Sequence, residues 1–136
     1  MSTRCNVIIN SYDKSGEPIH YQLYHHHDGY PLGVGADLVE YIKEIKTNED
    51  NGLQILSSCE KLADYLCDPL RNDEYENEGT NICLHGDIEY LYIIDLSTQV
   101  LKCFEINSWR YIDNISLMLA NDEFPNDLRC VMSIDF

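Results

Sequence analysis

Basic residues are scarce in this chain. Nine Lys and Arg stand against 24 Asp and Glu in 136 residues, a formal net charge of −15. A surface this negative repels nucleic-acid phosphate and anionic lipid, and no basic cluster overrides it locally, so direct binding to DNA, RNA or a membrane surface is disfavoured. Long apolar runs are also missing. None approaches the ~18 residues needed to cross a bilayer, and Met1-Ser2-Thr3-Arg4 leads into a strand-like run, not a signal-peptide core. Among Cys5, Cys59, Cys67, Cys83, Cys103 and Cys130 there is no Cys-x-x-Cys pair, which leaves a zinc ribbon or a thioredoxin-like site without support. No serine sits in a Gly-x-Ser-x-Gly elbow, and no repeat or low-complexity linker divides the chain.

What is present suits one domain over residues 1–136. Hydrophobic residues make up 44% and charged residues 24%, ordinary proportions for a folded domain. A chain of this length buries roughly two-thirds of its surface, enough for a core without cross-links. The cysteines sit mainly in apolar patterns such as Asn81-Ile82-Cys83-Leu84 and Leu101-Lys102-Cys103-Phe104, where a thiol acts as a small buried hydrophobe. Reduced cysteines and a cytoplasmic location are the expectation.

Periodicity gives the organisation. Residues 4–12 read as a strand, Asp13 to Pro18 as a turn, and residues 19–27 as a second strand in an antiparallel hairpin. Alternation puts Ile19, Tyr21, Leu23, His25 and His27 on one face and His20, Gln22, Tyr24 and His26 on the other. Leu38, Tyr41, Ile42 and Ile45 then follow helical spacing, and after Asn51-Gly52 a second helix runs to about residue 67. Residues 68–80 read as an acidic mobile loop. Strands follow at Ile82–His85, Ile88–Leu96 and Gln99–Ile106, then a short helix near residues 112–121 and an edge strand at Arg129–Phe136. This order predicts an α+β fold: an antiparallel β-sheet with two to three helices packed on one face.

The acidic residues are patterned. Asp37, Glu40 and Glu44 share a stripe on the first predicted helix, and Glu60, Asp64 and Asp68 repeat every four residues on the second. Asp73-Glu74-Tyr75-Glu76-Asn77-Glu78 follows, with Arg71 the only nearby cation. Like charges at this spacing cost a few tenths of a kcal/mol per pair. Solubility is one reason to accept that cost; recognition by a basic cleft is another, because carboxylates along a helix can take positions that phosphates otherwise occupy. Ten tyrosines accompany the charge, and tyrosine favours interfaces. On this reading Asp64, Asp68, Asp73, Glu74, Tyr75, Glu76 and Glu78 are the partner-binding residues.

A second constellation carries metal chemistry. His25, His27 and Asp28, with His85 and Asp87, assemble an N/O metal site if the two segments meet. Such a site activates water for phosphodiester hydrolysis or holds a nucleotide, with His85–Glu89 as the second segment. Gly29-Tyr30-Pro31-Leu32-Gly33-Val34-Gly35 precedes a helix, where its amides can cradle an anion. It lacks the P-loop lysine, however, and close packing accounts for its glycines equally well.

Three segments carry a resemblance. Met1-Ser2-Thr3-Arg4, the run Leu23-Tyr24-His25-His26-His27-Asp28-Gly29-Tyr30-Pro31-Leu32-Gly33, and Gly86-Asp87-Ile88-Glu89-Tyr90-Leu91-Tyr92 resemble a family of small phage and prophage proteins, in order over roughly residues 1–106. No catalytic residue carries over from that family. A small acidic phage protein without a catalytic signature is similar in kind to anti-CRISPR and other anti-defence inhibitors. The likeness implies a non-enzymatic protein in the host cytoplasm, needing no cofactor, whose partner is a host defence protein with a basic cleft.

Overall fold

Two antiparallel hairpin units meet through a parallel pair of strands at the centre of a six-stranded sheet. In the computed structural model, which describes residues 2–48, 52–71, 73–107, 118, 124 and 128–136, β1 spans Cys5–Tyr12 and β2 Pro18–His25. A π-helical turn at Pro31–Gly35 leads into α1, Ala36–Thr47, followed by α2, Gly52–Leu56, and α3, Cys59–Leu66. A 3-10 turn at Pro69–Arg71 precedes the two-residue β3, Glu76–Asn77. The strands β4, Tyr90–Asp95, β5, Val100–Glu105, and β6, Arg129–Asp135, complete the sheet in the order β3-β2-β1-β4-β5-β6.

The fold is α+β, as its element order predicts, but the sheet is mixed. Four pairings are antiparallel and β1 with β4 is parallel, in the register Cys5↔Tyr90 through Asn10↔Asp95. Val7, Ile8 and Ile9 are wholly buried. Such an unbroken apolar run suits a central strand covered on both faces. The first hairpin turns where Gly16 takes φ +82° and Asp13 Oδ1 accepts from the Ser15 and Glu17 amides at 2.8 and 2.9 Å.

Alternation divides the sheet into two faces. Val7, Ile9, Leu23, Tyr92, Ile94 and Leu101 pack against Leu38, Ile42 and Ile45 of α1 and Leu62, Ala63 and Leu66 of α3. Ile8, Tyr24, Leu91, Ile93 and Phe104 face the other way, beneath Leu84, Ile88, Met118 and Leu128. Burying a large side chain in either layer contributes roughly 2 kcal/mol.

Several predicted elements differ in detail. The second predicted helix is two helices, because Ser58 takes extended backbone angles and its hydroxyl caps α3 by accepting from the Lys61 amide at 3.3 Å. The segment read as a strand at Ile82–His85 crosses the second sheet face with no strand partner among the described residues. Its backbone is met by side-chain amides: Cys83 N donates to Gln22 Oε1 at 2.7 Å and His85 N to Asn6 Oδ1 at 3.1 Å. Residues 73–78, read as a mobile loop, are anchored by β3 pairing with β2 and by the buried Tyr75 ring. The helix predicted at 112–121 lies outside the described residues except for Met118, which is buried.

Candidate functional site

Part of the charge lies on the helical layer, where exposed carboxylates of α1 and α3 stand with Lys43, Lys46 and Lys61. Leu38, Ile42 and Ile45 fix the rotation of α1, so Asp37, Glu40 and Glu44 stand exposed on one flank, while Lys43 and Lys46 lie on the other, beside Ile134 and Phe136 at the β6 end. On α3 the buried Leu62, Ala63 and Leu66 leave Glu60 and Asp64 outward, with Asp68 exposed just beyond. Glu44 is thus turned toward Arg71 and Lys43 and Lys46 toward β6, with Glu40 one turn before Lys43 on the outward face.

Arg71 joins the two helices. Its guanidinium lies 4.5 Å from the Tyr41 ring centre on α1 and 4.2 Å from that of Tyr65 on α3. It also meets Asp73 at 3.2 Å and Glu44 at 4.0 Å. Tyr41 donates its hydroxyl to the other oxygen of Asp73 at 2.7 Å; burial, then that bond, push its hydroxyl up to about 12. Asp37, at the start of α1, is shifted above the ordinary carboxylate range by burial and by Asp73 and Glu40. Arg71 is therefore engaged internally, whereas Lys61 stands exposed beside Glu60 and Asp64 on α3.

Sequence reasoning selected seven partner-binding residues, and the fold separates them. Asp64, Asp68, Glu74 and Glu76 are exposed. Asp73 is half-buried under Arg71 and Tyr41, and its carbonyl accepts from His25 Nε2 at 2.7 Å. Glu78 turns inward, because Gln22, Asn6 and His85 all reach its carboxylate. Tyr75 is only 7% exposed. These three are corrections: they hold the acidic segment in place instead of presenting it. Leu70 was not anticipated and is 94% exposed between Asp68 and Arg71, an apolar side chain in an acidic setting that local sequence pattern does not mark.

The Tyr75 hydroxyl has no hydrogen-bond partner among the described residues although its ring is enclosed. An orphaned buried hydroxyl costs about 1 kcal/mol. Tyr75→Phe is expected to raise stability by about that amount, read from a urea denaturation midpoint. A fall in stability would show that the hydroxyl has a partner, such as a trapped water.

The five candidate metal ligands do not converge. Strand alternation is the reason: His25 faces the helical layer, in contact with Tyr75, whereas His85 stacks on Tyr24 across the opposite face with ring centres 3.9 Å apart. His25 Nδ1 turns to the His27 carbonyl, His27 reaches Glu74 at 3.7 Å and Asp28 accepts from the Tyr30 hydroxyl at 3.2 Å. His85 pairs with Glu78 at 2.6 Å, and Asp87 with Arg4 at 3.2 Å. Among the described residues no group of three or more His, Cys, Asp or Glu is arranged to hold a metal ion.

The glycine-rich turn is used for packing. A Cβ at Gly33 would sit 2.2 Å from the Asp28 carbonyl. The amides of Gly29, Gly33 and Val34 are already bonded to Thr3, Tyr30 and Asp28 carbonyls, so they do not cradle an anion. The six cysteines are free thiols. Burial raises the Cys59 and Cys103 thiols to about 12 and the Cys67 thiol to about 11, away from thiolate chemistry. Cys83 is exposed, contrary to its apolar context, because Leu84 takes the inward position.

No protein-family model, curated protein or solved structure matches the chain. No helix among the described residues is long and apolar enough to cross a membrane.

Proposed function

We propose that the chain is a phage-encoded, non-enzymatic anti-defence protein of anti-CRISPR type. Its helical layer occupies a basic, nucleic-acid-binding cleft of a host effector in the host cytoplasm. The observation that carries this reading is the segregation of charge on α1. Asp37 and Glu44 lie on the side toward Asp73 and Arg71, Glu40 faces outward, and Lys43 and Lys46 lie on the side toward β6. A charge held only for solubility needs no such sorting, whereas a docking face does.

Fixed carboxylates on rigid helices suit the task. They are pre-organised, so binding costs little side-chain ordering, and they meet Lys and Arg otherwise reserved for phosphate. Leu70 supplies the apolar contact that an all-acidic face lacks. The test is a plasmid-interference assay in strains carrying defined RNA-guided nucleases, paired with target-DNA binding by each purified effector. Restored plasmid uptake and loss of DNA binding by one effector are expected. Unimpaired interference and DNA binding across the panel would overturn the proposal.

A further inference from the structure

The second sheet face changes character toward the hairpin turns. Ile8, Tyr24, Leu91 and Phe104 are covered by an apolar layer, but the next cross-strand row reads His20, Asn10 and Asp95, with Lys102 diagonal to Asp95. These four residues line a cavity of about 420 Å³, walled on its apolar side by Ile93, Val100 and Phe124. That size falls in the range of small-molecule sites.

The topology accounts for the opening. Because β1 and β4 are parallel, the turns of both hairpins project from the same end of the sheet. The last bond joining the two units is Leu96 N to the Asn10 carbonyl at 2.9 Å, and beyond it strand twist carries the turns apart.

The polar groups in the cavity are partly committed. His20 Nδ1 lies 2.7 Å from Asn10 Oδ1. Burial lowers the proton affinity of the ring, so a neutral His20 donates from Nδ1 and keeps Nε2 as an acceptor. Asp95 Oδ1 accepts from Ser97 N, Ser97 Oγ and Thr98 N at 2.9, 2.6 and 3.2 Å. Its second oxygen has no bond among the described residues, and neither has the half-buried Lys102 ammonium. Diagonal neighbours on paired strands stand roughly 7 Å apart. One cavity therefore holds an ammonium and a carboxylate oxygen, both unpaired, beside an apolar wall.

We propose that this cleft binds a small zwitterion, an α-amino acid with an apolar side chain. Its carboxylate meets Lys102, its ammonium meets Asp95 and Asn10 faces the same polar end. Its side chain lies on Ile93, Val100 and Phe124. An anion alone meets the free Asp95 oxygen, and a cation alone meets Lys102; a ligand bearing both charges satisfies each. The cleft lies on the sheet face away from the helices, so it stands independently of the partner-binding reading.

The experiment is an amide NMR titration of the full chain with L-leucine and L-phenylalanine. It runs beside 3-phenylpropionate, which lacks the ammonium, and phenethylamine, which lacks the carboxylate. Saturable shifts at Asn10, His20, Ile93 and Lys102 are expected with at least one amino acid and with neither single-charge analogue. Lys102→Gln and Asp95→Asn, the latter keeping the turn-capping oxygen, are each expected to weaken binding about tenfold or more while preserving the remaining spectrum. No shift with either amino acid at millimolar concentration, equal shifts with an analogue, or full affinity in both variants would overturn the assignment.

Discussion

Gln22→Ala is expected to destabilise the protein by about 3 kcal/mol, the cost of stranding several part-buried polar groups together. Gln22 is 1% exposed. Its side chain accepts from Cys83 N at 2.7 Å and donates to the Cys83 carbonyl and to Glu78 Oε1, each at 2.8 Å. Truncation strands both backbone groups of Cys83 over the sheet face and removes a donor from an enclosed carboxylate. Asn6 and His85 remain on Glu78, so the segment loosens before the whole sheet does. For a chain of this size the loss is roughly 10 °C in Tm, with hydrogen exchange accelerated first between residues 78 and 85. A loss below about 1 kcal/mol would mean that water replaces the amide freely. The consequence reaches function, because the same network turns Glu78 inward and holds β3, from which Glu76 projects outward.

Reversing three exposed charges on the proposed face, Glu40→Lys, Asp64→Lys and Glu76→Lys, is expected to weaken effector binding about 100-fold and to flatten its salt dependence. None of the three makes a hydrogen bond or ion pair among the described residues, so the fold is left intact. The informative control is a second triple reversal at Glu17, Glu89 and Asp135, exposed positions off the proposed face, of which Asp135 borders the Lys43–Lys46 flank of α1. Three reversals of two units each move the net charge from −15 to −9 in both proteins. If location governs recognition, the control loses only a few-fold in association rate. Equal losses in both would reduce the effect to overall charge and overturn the assignment of this face. Leu70→Ala, which alters no charge, is expected to act on dissociation instead.

Much of the fold was legible in local pattern. The β1–β2 hairpin follows from alternation and from the Asp13–Gly16 turn, and the α1 core residues follow from three- and four-residue spacing. The β4–β5 pair follows from two apolar runs around Ser97-Thr98. Ile82–His85 was less legible, since its Ile82 and Leu84 look like strand residues whether the backbone finds a ladder or, as here, the side chains of Gln22 and Asn6. Composition marked the acidic segment 73–78 as exposed, yet Tyr75 is an anchor and Glu78 a half-buried acceptor. Alternation within so short a strand leaves little signal. The histidine run was conspicuous, but His25 turns to Tyr75 while His26 lies against Tyr24, and the His26 and His27 rings meet edge to face 4.8 Å apart.

By itself the sequence determined the sign of the surface, the α+β class and the rotation of each amphipathic helix, because these depend on composition and on spacings of two to four residues. Only the tertiary structure decided that β1 and β4 pair in parallel, that Glu44 meets Arg71 while Lys43 and Lys46 border β6, and that His20, Asn10, Asp95 and Lys102 share one cleft. Those relations join residues up to 92 positions apart in the chain, and they follow from which strands are neighbours in the sheet, a choice that no local periodicity encodes.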